Sequence, residues 1–202
     1  RIDSMGGALG ADVSHSTISF NGTVIQRNFG AFLELLVDVL AHPGFADEEL
    51  ALLRRETDAE IIESRDNDRA LARRWFRRRM FAFRPYSRSV SGQRATVSKM
   101  TSEHVHGLHR RTWIRENLVL SFSGDLDQER ARASAERILA ALGQGPPLRD
   151  SVDEPSGPRG RSLVFVDKPE RTQTQILIGG LGTRPHDLDH VALHVANTVL
   201  GG

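Results

Sequence analysis

Residues 29–41 (FGAFLELLVDVLA) constrain the fold more than any other stretch. On a helix drawn through them, apolar side chains fall on nearly every side, and His42-Pro43-Gly44 stops it. Such a helix reads as deeply buried, so other elements must cover it. The chain is long enough to supply that cover: 202 residues, 39% hydrophobic and 26% charged, suit one large domain or two small ones. This balance excludes a disordered class. A net charge of +1, from 27 basic and 26 acidic residues, supplies no global field toward nucleic acid or an anionic membrane. With no cysteine, disulfides, Cys-type zinc sites and thiol nucleophiles are all removed. No apolar run approaches the roughly 20 residues of a membrane span, so no membrane partner is expected.

The flanking pattern predicts the remaining elements. Arg1-Ile2-Asp3 reads as the end of a helix already in progress, broken by Gly6-Gly7. Residues 8–26 alternate as a β-hairpin with its turn at Asn21-Gly22. A helix capped by Asp47 runs to about Arg65, with Glu48 and Glu49 favouring its positive end. Asp66-Asn67-Asp68 breaks the chain before an arginine-rich helix at 69–82, and 85–100 reads as a loop. Thr101 and Ser102 cap a helix at 102–113, 117–123 (NLVLSFS) is a compact apolar strand, and a helix follows at 127–142. Strands at 162–167 and 173–179 and a helix at 186–200 complete the order. This is an α+β layered sandwich, an antiparallel or mixed sheet covered by helices. Residues 1–143 form the first part of one domain, 144–160 a Gly/Pro-rich linker, and 161–202 the start of its second part. The chain lacks an initial methionine and stops at Leu200-Gly201-Gly202, so both ends read as truncations. Cut edges would expose apolar faces and favour self-association.

Four clusters could carry chemistry. His186, His190 and His194 recur at i, i+4 and i+8, a metal-compatible spacing, but the glutamate of an H-E-x-x-H helix is missing. They read as packed or solvated histidines. His104, His106 and His109 do not all stack on one helix face. Arg73, Arg74, Arg77, Arg78 and Arg79 interleave with Trp75, Phe76 and Phe81, which could grip a nucleic-acid strand. The same pattern arises when aromatics face a core and arginines face water, and no nucleic-acid partner is expected. Glu56, Glu60 and Glu63 share a helix side, from which one carboxylate could complete a metal site.

The ordered set GGALGA…TISF, FLELLVDVLAHPGFADEEL, RRETDAEII, RPYSRSVSG, NLVLSFSGDLD and TQTQILIGG…DHVALHVANTVLGG resembles the pitrilysin/insulinase/mitochondrial-processing-peptidase family across the whole chain. The resemblance implies two homologous α/β halves that clamp a peptide. One is a zinc endopeptidase with an inverted H-x-x-E-H motif, in which both histidines bind zinc and the glutamate is the general base. A further zinc ligand, a glutamate, lies downstream of the Pro43-Gly44-Phe45 stop, and ungapped counting places it at Glu60, before Ile61. Three departures follow. No H-x-x-E-H occurs in the 202 residues; the family's acidic position two turns before the ligand is Leu53; and the substrate-pairing edge G-G-x-x-N-A reads Gly6-Gly7-Ala8-Leu9-Gly10-Ala11. Gly10 and Ala11 are thus the expected substrate contacts, without the asparagine that helps hold the peptide backbone.

The resemblance therefore implies a non-catalytic half that encloses unfolded peptide beside a zinc-peptidase domain or subunit. Neither a catalytic residue nor a cofactor is expected in this chain, zinc belonging to the catalytic half. The alternative is a truncated catalytic half that has lost H-x-x-E-H, with Glu60 as a zinc ligand. A basic-helix nucleic-acid module is the third reading. Nothing in the residues sets the compartment.

Overall fold

The computed structural model describes residues 2–82, 84–148, 157–158 and 160–201. It forms two compact units, Arg1–Ile61 with Val90–Ser151 and Ile62–Ser89 with Val152–Gly202. Much of the expected linker, residues 149–156 and 159, lies outside the described residues.

The first unit is built around helix α1 (Phe29–Ala41) and helix α6 (Gln128–Ala141). Leu33 and Leu40 of α1 meet Ile138 and Leu142, and Phe20, Trp113, Leu118, Leu120 and Phe122 close around them. Ile138 is the most enclosed side chain, at 2% exposure. Only one stripe of α1 is buried. Ala31, Glu34, Asp38 and Val39 are exposed, which corrects the expectation of a helix covered on every side. The spacing of Leu33, Leu36, Val37 and Leu40 accounts for the stripe. Local signals set the helix starts. Asp127 Oδ1 accepts from Arg130 N at 2.7 Å before α6, and Thr101 accepts from His104 N before helix α5 (Ser102–Thr112).

Strands β1 (Gly7–Val13) and β2 (Ile18–Val24) pair antiparallel from Gly7↔Val24 to Val13↔Ile18. The turn therefore falls at 14–17, not at Asn21-Gly22. There Ser14 N donates to Thr17 O at 2.8 Å, and Ser14 Oγ accepts from Thr17 N at 3.0 Å. Asn21 and Gly22 lie inside β2. Asn21 Nδ2 reaches across the pair to Asp12 Oδ2 at 2.9 Å. Gly22 lets Phe32 approach, since an added Cβ would sit 2.6 Å from Phe32 Cζ.

β1 and β2 are the only ladder among the described residues. Residues 117–123 keep a period-2 pattern, with Leu118, Leu120 and Phe122 turned to the core and Val119 93% exposed, but they have no ladder partner among the described residues. Residues 162–167 and 173–179 likewise carry no ladder, against the expectation of strands. The alternation of side chains survives, but among the described residues no hydrogen-bonded neighbour makes these segments strands. The opening residues form a 3₁₀ turn, Asp3–Met5, rather than the end of an α-helix. The expected loop at 85–100 contains a 3₁₀ turn, Pro85–Ser87, and a short helix α4 (Arg94–Val97).

Helix α2 (Asp47–Glu63) carries Asp47, Glu48 and Glu49 in its first turn, so Asp47 is the first helical residue rather than the cap before it. In the second unit, helix α3 (Asp68–Met80) starts at Asn67, whose side chain accepts from Ala70 N at 3.0 Å. Lys168 Nζ donates to Asp68 Oδ1 at 2.9 Å and to Arg65 O at 2.5 Å, and Arg171 Nη2 donates to Asp66 Oδ1 at 3.0 Å. Phe76 lies over Gly179, where a Cβ would come within 2.9 Å of its ring. Helix α7 (His190–Gly201) begins four residues later than the histidine spacing suggested. Leu163, Phe165, Ile176 and Ile178 are exposed, as are the apolar residues of α7.

Two outcomes test this packing. Gly22→Ala should destabilise the chain by about 1–3 kcal/mol through overpacking, and Phe32→Leu in that background should recover part of the loss. Gly10→Ala, with nothing within 4 Å of its Cβ, should be near neutral. Denaturant midpoints read all three. The Asp68 carboxyl is held below its ordinary range, chiefly by the Lys168 hydrogen bond and then by the Arg171 and Lys168 charges, against desolvation. A depressed folded pKa contributes stability above the unfolded value, lost as pH falls through the folded one. In a carboxyl-carbon NMR titration, Lys168→Met should move the Asp68 midpoint upward.

Candidate functional site

Two surfaces of the first unit hold the residues singled out by the sequence. The first is a side of α2. Leu53 and Glu60 are seven residues apart and share that side with Glu56, and all three are exposed. Among the described residues, neither the Glu56 nor the Glu60 carboxylate has a hydrogen-bond or ion-pair partner in its vicinity. An exposed, uncommitted carboxylate is available as a ligand but is not positioned by its surroundings. Leu53 occupies a place from which an acidic side chain could support Glu60, and leucine offers no hydrogen bond there.

The other side of α2 is fastened. Arg94 grips Asp58 with two hydrogen bonds, Nε to Oδ1 at 2.5 Å and Nη2 to Oδ2 at 2.9 Å. The hydrogen bond to Asp58 and then its charge raise the Arg94 pKa further above an already high value. Arg54 Nη1 donates to Met100 O at 2.9 Å. These contacts hold α2 by its inner side and leave the Glu60 side free. Nothing in the sequence marked Asp58 and Arg94 as partners, because they are separated by 36 residues with no periodic relation.

The second surface is β1. Gly10 and Ala11 are exposed, and a Cβ added at Gly10 would meet open space. The backbone at this position therefore does not require glycine, and a side chain such as asparagine would fit. Gly10 pairs with Asn21 across the ladder. Apart from Gly7 N, which donates to Ile2 O at 3.3 Å, the outer edge of β1 has no ladder partner among the described residues.

The histidines do other work. His104 Nδ1 closes the capping box at Thr101. His109 Nε2 bonds Leu40 O at 2.8 Å, and both His106 and His109 pack edge-on against Phe45. His190 Nδ1 lies 3.2 Å from Thr183 Oγ1, while His186 precedes α7, so the three do not stack on one helix. Among the described residues no three His, Cys, Asp or Glu side chains converge on a metal position. A zinc ion needs three protein ligands, and Glu60 alone does not fit one.

Known proteins agree on the family. A model described as the peptidase M16 inactive domain matches residues 99–202. A protein of Rickettsia bellii named "Uncharacterized zinc protease" is 27% identical over 95% of this chain and 45% of its own length. A namesake from Rickettsia felis is 29% identical over 91% of the chain and 43% of its own length. The "Probable mitochondrial-processing peptidase subunit beta, mitochondrial" of Arabidopsis thaliana is 21% identical over the whole chain and 38% of its length. The chain thus spans less than half the length of these curated relatives. The crystal structure of a peptidase M16 inactive domain from Pseudomonas fluorescens shares the fold with a TM-score of 0.72, at 22% identity, over 77% of this chain and 38% of that one. The domain model covers half of the chain, and the ordered motifs and the fold agree with it: the chain belongs to the peptidase M16 family, with the character of its inactive domain.

Proposed function

We propose that this chain is part of a non-catalytic M16 half that encloses unfolded peptide beside a zinc-peptidase half, offering β1 as the edge on which the peptide lies. The observation that carries the proposal is the outer edge of β1. Its backbone donors and acceptors lack a ladder partner among the described residues, and small side chains at Gly7, Ala8, Gly10 and Ala11 leave room for a second backbone. Strand addition supplies affinity through main-chain hydrogen bonds and is indifferent to most side chains, which suits an unfolded substrate. Gly10 is open on this face, so the peptide is held by backbone alone.

Binding of a fluorescent unfolded peptide tests this. A peptide N-methylated at alternate residues should bind about tenfold or more weakly, since several hydrogen bonds of about 0.5–1.5 kcal/mol are lost. Gly10→Asn should tighten binding about fivefold by adding one hydrogen bond. Equal binding of the methylated and plain peptides would remove strand addition.

A second reading, the truncated catalytic half, rests on the exposed and uncommitted Glu60 carboxylate. Zinc content of the full-length protein separates the two. The proposed reading expects Glu60→Gln to leave zinc unchanged; loss of zinc in that variant favours the second.

A further inference from the structure

We infer that the second unit carries a separate recognition pocket for an acidic peptide segment that presents an apolar or aromatic side chain. The pocket is a cavity of about 370 Å³ between α3 and residues 166–168. Leu71, Trp75 and Val166 give it an apolar interior, and Arg65, Arg74 and Arg78 stand around it. A cavity of this size falls at the small end of specific ligand pockets, where one large side chain is the natural occupant.

Charge decides what accompanies that side chain. Lys168, also in the wall, is already committed to Asp68 and Asp66, at 2.9 and 3.5 Å. The Arg65, Arg74 and Arg78 guanidiniums have no carboxylate partner among the described residues, and Asp167 is the single carboxylate of the wall. The pocket therefore keeps an excess of uncommitted positive charge. Arg74 and Arg78 are four residues apart on α3, where like charges repel. Lys168 and Arg171 of the same unit pair with Asp66 and Asp68, while Arg74 and Arg78 have no carboxylate partner among the described residues. Arg78 is instead laid over the Trp75 ring, 5.3 Å from its centroid, which orients its planar fork. A carboxylate entering the pocket meets one oriented guanidinium, that of Arg78, whose fork can bind it with two hydrogen bonds.

A peptide fits these features better than a phosphate chain. A nucleic-acid strand is held by a continuous basic track with successive stacking platforms. Here one aromatic and one apolar hole stand alone, with Asp167 at the wall. Val166 and Asp167 in the pocket wall have no ladder partner among the described residues, so a peptide whose side chain fills the hole can also bond this backbone. The inference is independent of the β1 edge, which lies in the first unit.

The test is fluorescence-anisotropy titration of the whole chain with two labelled twelve-residue peptides, one with tryptophan flanked by aspartate and glutamate, the other with tryptophan flanked by lysine. The acidic peptide should bind at least tenfold tighter, weaken as salt rises, and quench Trp75. Arg74→Glu with Arg78→Glu should reduce its affinity at least tenfold, while Arg74→Lys with Arg78→Lys retains part of it; circular dichroism of both variants confirms folding. If the charge-reversed chain is unfolded, Val166→Trp, which fills the hole from its exposed side, replaces it with the same expected loss. Equal binding of the two peptides overturns the inference. So does undiminished binding in the folded variants, or displacement of the acidic peptide by an oligonucleotide at lower concentration than by the unlabelled peptide. Unchanged binding of the plain unfolded peptide at β1 by the folded Arg74→Glu, Arg78→Glu chain separates failure of the edge from failure of the pocket.

Discussion

The contact between α1 and α6 holds the rest of the first unit in place. Leu33, Leu40, Ile138 and Leu142 are each almost wholly withdrawn from water, and burial of one such side chain contributes about 1.5–3 kcal/mol. The Glu34–Arg137 ion pair beside them is half exposed, a setting in which pairs contribute about 0–1 kcal/mol. Apolar burial therefore decides the packing and the ion pair only trims its rim. Phe32, one residue from Leu33, fixes the hairpin by lying over Gly22. Phe20 on β2 meets Trp113 edge-on at 5.2 Å, tying the hairpin to the end of α5. The position of β1, and with it the proposed peptide edge, is thus inherited from the α1–α6 core.

Features written locally were legible in the sequence. The α1 limits follow from the apolar run and its His-Pro-Gly stop, and Thr101 marks a helix start through its hydrogen bond to the residue three positions on. Features that depend on a distant partner were not. Asn21-Gly22 has turn chemistry, yet Asp12 and Phe32 use those two residues inside a strand. Residues 117–123 have strand periodicity, but a ladder requires a neighbour that no local pattern supplies. The α1 side chains looked apolar all round because composition cannot show which of them a second helix will cover.

The same division runs through the site. Glu60 and Gly10 were found by matching ordered motifs, and the structure adds what a motif cannot carry: exposure, free space and partners. Gly10 has room for a side chain it does not have, and among the described residues Glu60 has no hydrogen-bond or ion-pair partner that would set its geometry. By contrast, the Asp58–Arg94 clasp left no trace in the sequence, although it fastens the side of α2 opposite Glu60. A half of this kind would work by presenting backbone and enclosure, leaving bond cleavage to its homologue.

Amide hydrogen exchange along β1, followed while an unfolded peptide is added, bears on this most directly. Slower exchange at the outward-facing amides of residues 8–12, by tenfold or more, is the predicted result. Unchanged exchange there while the peptide is demonstrably bound would contradict a substrate-pairing edge.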